Sequence, residues 1–163
     1  MTNHMIFVYF YVAIFILVFI GIPIEKKIRT LIVNGKVEKL AQNALEITPK
    51  EFFKIRNASN GGRGKKYIST AKDFAGVYIL YNKSKKMYYV GQGKKVLQRV
   101  NNHFTGHGNG DVYSDYKYGD DFTIKMIRLN GSGFTTLNEL ERCTITKYNA
   151  FSKGYNKTRG NKG

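Results

Sequence analysis

GVYILYNKSKKMYYVGQG, residues 76–93, decides the fold, because it reads as two short apolar strands around a basic turn. Gly76–Tyr81 and Met87–Gln92 are the strands, and NKSKK is the turn. Each strand carries tyrosines and has a glycine at one end, a symmetry that packing alone does not require. Alternation puts Gly76, Tyr78 and Leu80 on one face of the first strand, and Met87, Tyr89 and Gly91 on one face of the second. A hairpin of these strands is expected to bring Tyr78 and Tyr89 to the same side of the sheet. Strand tyrosines are most often core residues, so any chemistry has to be argued from their surroundings.

Downstream, GQGKKVLQR runs from the strand end through glycine into a helix expected over residues 94–104. Arg99 lies two turns into it, and His103 follows at i+4 on the same face. GHGNGD reads as a loop, FTIKMIRL as a third strand and NGSGF as a turn, with Asp111, Asp115, Asp120 and Asp121 expected in solvent. A last helix is expected over residues 135–149, with an apolar stripe of Leu137, Leu140, Thr144, Ile145 and Tyr148. Glu141 falls inside that stripe. A carboxylate there is costly unless it meets a cation, either a lysine or a metal in a cleft. Glu139 lies off the stripe, placed for a capping box with Thr136. His103 and His107 also have i, i+4 spacing, but Gly106 is expected to end the helix between them. Cys143 is the only cysteine, so neither an intrachain disulfide nor a cysteine-rich zinc site is available.

Upstream, residues 25–70 read as a helical and basic connecting region. KVEKLAQNALEI has apolar residues at helical spacing. TPKEFFKI supplies Thr48 as N-cap, Pro49 at the first helical position and Glu51 at the capping-box position. NASNGGRGKK is a glycine-rich basic loop that lacks the phosphate-loop pattern. Before all of this, MIFVYFYVAIFILVFIGIPI, residues 5–24, is an uncharged run of 20 residues. As a helix it spans about 30 Å, the thickness of a bilayer core. No Lys or Arg precedes the run and its end is a poor cleavage site, which favours a transmembrane anchor over a signal peptide. Lys26, Lys27 and Arg29 follow it, so the positive-inside rule expects the C-terminal portion in the cytoplasm, below the cell membrane. Pro23 is expected to end or kink the helix.

Lys and Arg number 27 against 11 Asp and Glu, a net charge of +16 that points to a polyanionic partner. Between Phe52 and Gly110 the single acidic residue is Asp73. Arg63, Lys65, Lys66, Lys94 and Lys95 are candidate contacts to a nucleic-acid backbone. The tail beyond Asn156 adds non-specific, salt-sensitive affinity.

Gly76-Val77-Tyr78, then Tyr89-Val90-Gly91, then Arg99 eight positions beyond that glycine: this resembles the GIY-YIG nuclease family. LNELERCTITKYNAFSKGYN continues the resemblance, with Glu141 as the helix glutamate and Gly154-Tyr155-Asn156 as the closing motif. Valine stands for isoleucine in both halves, and Gln92 stands where a small hydroxyl residue is frequent, which is expected to alter substrate contacts. The resemblance implies an α+β domain over residues 71–163, a small three-stranded antiparallel sheet flanked by helices. It also implies hydrolysis of phosphodiester bonds in DNA with one divalent metal, Mg2+ in most cases. On this basis Glu141 binds the metal and Arg99 stabilises charge on the scissile phosphate. Tyr78 activates water, with His103 as a rival base because imidazole titrates near neutral pH. Tyr89 orients water or phosphate, and Asn156 braces the site by hydrogen bonds. The glycines beside the tyrosines are expected to leave the sheet edge open to a phosphate backbone. Together with residues 1–24 as anchor, the expectation is a single-pass, membrane-anchored endonuclease; the alternative is a non-catalytic membrane tether for nucleic acid.

Overall fold

The computed structural model describes residues 3–57 and 73–161. Arg63, Lys65 and Lys66 lie outside the described residues. The chain divides into two compact units, Met1–Lys36 and Val37–Gly163.

The first unit is helical. Helix α1 (Asn3–Ile16) leads into a π-helical turn at Leu17–Gly21 and then into α2 (Ile22–Asn43), within which the division between the units falls. Pro23 does not end the helix. Its ring would crowd the carbonyl of Phe19, four residues back, and that carbonyl belongs to the wider π turn. Phe7, Tyr11, Leu17 and Phe19 are exposed. Among the described residues, one helical run from Phe7 to Asn43 contains a segment long and apolar enough to cross a membrane.

The second unit is an α+β domain. After the end of α2 come β1 (Glu46–Ile47), α3 (Pro49–Asn57), β2 (Gly76–Asn82), β3 (Met87–Gly93), α4 (Val96–Phe104), α5 (Gly110–Lys117), β4 (Phe122–Arg128) and α6 (Leu137–Lys147). The sheet has four strands, ordered β1-β4-β2-β3 and antiparallel throughout. This corrects the expectation of three. The extra strand is only two residues long, too short for alternation to reveal, and it exists because Glu46 and Ile47 pair with Lys125 and Ile124 of β4.

Helices cover both faces of the sheet. Ile47, Phe52, Tyr78, Leu80, Val96, Val100, Phe104, Val112 and Ile124 fill one layer. Ala41, Val77, Ile79, Val90, Ile127, Leu140 and Ile145 fill the other. Strand β2 is interior and buried on both sides, which is why GVYILYN is nearly continuously apolar. Strand β3 is an edge, so its outer hydrogen-bonding groups are available to other segments. Register pairs Tyr78 with Gly91 and Leu80 with Tyr89, and the two tyrosines do share a face, with ring centroids 6.2 Å apart.

Local signals account for the helix starts. Thr48 and Glu51 form the expected reciprocal capping box: Glu51 Oε2 accepts from the Thr48 N–H at 2.7 Å, and Thr48 Oγ1 accepts from the Glu51 N–H at 3.2 Å. Thr136 caps α6 by accepting from the Glu139 N–H at 3.1 Å, while Glu139 returns to the Thr135 N–H rather than to Thr136. GHGNGD is not wholly loop. Asn109 Oδ1 accepts from the Val112 N–H at 3.0 Å and starts α5, which carries Asp111 and Asp115.

Candidate active site

The site is assembled across the edge strand β3. Odd-numbered residues of β3, Tyr89 and Gly91 among them, face the layer of α4; even-numbered residues, Val90 and Gln92, face α6. A cleft of about 380 Å3 is lined by Tyr89, Val90, Arg99, His103, His107, Asn109, Glu141 and Asn156, so both layers contribute to it. A larger hollow of about 710 Å3, between Phe74, Arg128 and Phe134, contains no acidic or histidine side chain.

The α4 side is organised by hydrogen bonds. Helix α4 is held at its start by Asp73, whose carboxylate accepts from the N–H groups of Leu97 at 2.8 Å and Gln98 at 3.1 Å. The single acid of the basic stretch thus sits at a helix N-terminus, where negative charge is favoured. Two turns on, His103 is 2 % exposed. Its Nδ1 accepts from the Asn109 N–H at 2.9 Å, which assigns the proton of the neutral ring to Nε2. That Nε2–H points to the Tyr78 hydroxyl oxygen at 2.9 Å. Burial, reinforced by the Arg99 charge, pulls His103 down from 6.5 to about 4, so the ring is neutral at physiological pH. Burial pushes Tyr78 well above the usual phenol range, assisted by the neighbouring Tyr89 and opposed by Arg99. Tyr89 is raised by burial in the same way, again against the pull of Arg99.

The glycines have a different purpose from the one expected. A side chain on Gly91 would collide with the Tyr78 hydroxyl and ring, so this glycine is what lets the phenol lie across the neighbouring strand. A Cβ on Gly93 would stand 2.9 Å from Cγ of Arg99. Neither opens the edge of the sheet. That edge is occupied at Val90 by the Asn156 amide, whose Oδ1 accepts from the Val90 N–H at 2.8 Å and whose Nδ2 donates to the Val90 carbonyl at 2.7 Å. Asn156 imitates one more strand residue and braces the cleft wall.

On the α6 side, Glu141 is 8 % exposed. No described ion pair involves it or Arg99. Its Oε2 accepts from Gln92 Nε2 at 3.0 Å and from the Asn161 N–H at 3.3 Å. Gln92 therefore sits against the buried carboxylate, a contact its position in the sequence did not reveal. Lys94 and Lys95 are exposed just ahead of α4 and do not line the cleft. Tyr78 does not line it either; it is fully buried behind His103. The structure thus brings Tyr78, Tyr89, Arg99, His103, Glu141 and Asn156 together. His107 and Lys157 also line the cleft. The spacing of His107 from His103 gives it no role in a cleft, and Lys157 follows directly on the Gly-Tyr-Asn motif.

A three-residue metal cluster of His, Cys, Asp and Glu is absent among the described residues. The donor set nevertheless suits a hard cation. The two described hydrogen bonds to Glu141 fall on Oε2 and neither donor carries charge, so no described protein cation competes for the carboxylate and Oε1 has no described donor. Mg2+ is commonly held by one or two carboxylates with water and substrate phosphate completing its shell.

The GIY-YIG catalytic domain matches residues 74–156, 83 of the 163 residues, and the chain belongs to that family. Its fold and its type of function are those of a nuclease, with nucleic acid as partner. GIY-YIG nucleases generally use divalent metal ions. No curated protein and no solved structure matches the chain.

Proposed function

We propose that this protein is a metal-dependent DNA endonuclease held at the cell membrane by residues 5–24, with its catalytic domain, contained within residues 71–163, on the cytoplasmic side. One observation carries the catalytic reading: a buried carboxylate without a described counter-charge shares a cleft with a cation that also lacks one. Such an arrangement leaves the anionic partner to be supplied by a phosphate and the cationic one by a metal ion. Glu141 would hold the ion, which when bound supplies Lewis-acid polarisation of the phosphate and charge compensation at the leaving oxygen. Arg99 stabilises the charge that accumulates on the phosphate oxygens. Tyr89 orients the phosphate or the attacking water from the cleft wall.

We read the proton acceptor as the Tyr78 oxygen in its tyrosinate form, the phenol proton having passed to bulk water; burial opposes that ionisation, and the Arg99 charge and the His103 Nε2–H favour it. The one lone pair of the neutral imidazole is engaged by the Asn109 N–H, so His103 serves as a donor that stabilises a tyrosinate, together with Arg99. Because Tyr78 is fully covered, the wall formed by His103 and Asn109 has to shift to admit a water to it. Lys94 and Lys95 contact the DNA backbone from the rim.

The test uses the full chain in detergent, with plasmid and single-stranded DNA, in Mg2+ or chelator. Metal-dependent nicking that Arg99→Ala reduces by about 10²–10³-fold is expected. Binding without cleavage across several divalent metals would identify a non-catalytic tether instead. Carbonate washing and protease protection in membrane vesicles test the anchor and its orientation, and release of the intact chain by carbonate overturns the anchor.

A further inference from the structure

We infer that Gln92 is a positioning residue that fixes the Glu141 carboxylate for a divalent cation; this rests on Glu141 being the metal ligand. An amide nitrogen has two hydrogens, and here both are engaged. Gln92 Nε2 donates to Asn138 Oδ1 at 2.6 Å and to Glu141 Oε2 at 3.0 Å. The two acceptors stand at i and i+3 on α6, so one amide on the edge strand grips two successive turns of the helix. The Glu141 carboxylate sets the orientation: turned over, the Gln92 carbonyl would face a carboxylate oxygen with no hydrogen between them, whichever way the Asn138 amide is turned. The Asn161 N–H approaches the same Oε2, which concentrates the protein's hydrogen bonds on one oxygen and reserves the other.

The chemistry of the donors matters as much as their positions. A lysine or arginine here would neutralise Glu141 and compete with a cation for it. Amide donors orient the carboxylate without supplying a charge, so its attraction for a metal is retained. Partners of this kind typically alter metal affinity by about 10–100-fold when removed. The position gains its effect because even-numbered residues of β3 face α6, which sends Gln92 to the carboxylate rather than to the face of Tyr78.

The test measures Mn2+ binding to the full chain in detergent without DNA, by electron paramagnetic resonance, alongside DNA cleavage over a Mn2+ titration. Gln92→Met keeps the side chain's length but cannot donate, and Gln92→Ala removes it. Both are expected to raise the Mn2+ concentration for half-saturation about 10-fold, while cleavage at saturating Mn2+ returns to near the unaltered rate. Asn138→Ala, which frees one anchor of the amide, should shift it the same way by less. Glu141→Gln should abolish binding. If both Gln92 variants bind Mn2+ like the unaltered protein while Glu141→Gln does not bind, the positioning role is overturned and the metal ligand stands. If Glu141→Gln binds Mn2+ normally, the metal reading fails and the positioning role falls with it.

Discussion

At the turn end of the β2–β3 hairpin, Lys85 lies 2.6 Å from Asp115 and 3.9 Å from Asp120. The Tyr155 hydroxyl donates to Asp115 at 2.6 Å, and Asn82 donates to both Asp120 and Tyr155 at 2.7 Å. Lys85, Asp115 and Asp120 thus meet opposite charge within the protein. Burial works against ionisation of Asp115, but hydrogen bonds from Lys85 and Tyr155 hold its carboxyl below the usual range. At the other end, Glu141 meets only neutral amides and Arg99 has no described acidic partner. Both clusters are polar, partly buried and built around the same two strands. The first is complete without a ligand and locks the fold, whereas the second keeps its charges apart, which favours binding ions of opposite sign but adds nothing to stability.

The contrast predicts where substitutions act. Glu141→Gln keeps the shape but removes the charge, and should lower the rate of DNA cleavage on the order of 10³-fold, several kcal/mol of transition-state stabilisation. Its thermal melting should change little; a collapse of melting with cleavage per folded molecule intact would place Glu141 in the structural class with Asp115. The next effect concerns pH. Unfolded imidazole binds its proton near 6.5 and folded His103 near 4, so between those values the unfolded state holds more protons. Stability present above pH 6.5 is lost as pH falls toward 4, by about 3 kcal/mol at most. Melts of His103→Gln across that window should therefore fall less steeply than those of the unaltered chain.

Tyr155→Phe removes one of the two acceptors of Asn82 and one of the two donors to Asp115, at a cost of about 1–3 kcal/mol. Unlike Glu141→Gln, it should lower the melting temperature without lowering cleavage by the molecules that remain folded. Thr48→Ala removes one half of the capping box of α3 and should cost about 1 kcal/mol with no change in cleavage. A loss of cleavage in Tyr155→Phe would mean that the two clusters are not separable.

Much of the architecture was legible because its signals are local. The capping box of Thr48 and Glu51 spans four consecutive positions, and the tyrosine–glycine spacing, the i+4 pair of Arg99 and His103 and the intrusion of Glu141 into an apolar stripe all lie within single elements. What stayed hidden depends on segments distant in the chain. The strand Glu46–Ile47 exists through its pairing with β4, and its two residues carry no pattern of their own. Helix α5 begins with a glycine, and Asp115 and Asp120 were expected in solvent because nothing nearby announces Lys85, Tyr155 or Asn82 as their partners.

The sequence by itself determined the residue types of the site and the side of each element on which they lie, because periodicity is a property of the backbone. It could not say that Tyr78 would rest on Gly91, that Asn156 would bind the edge of β3, or that Gln92 would reach Glu141. Those depend on strand register and on how two helical layers meet across one edge strand. Only tertiary packing decides that, since contacts between residues dozens of positions apart form together or not at all.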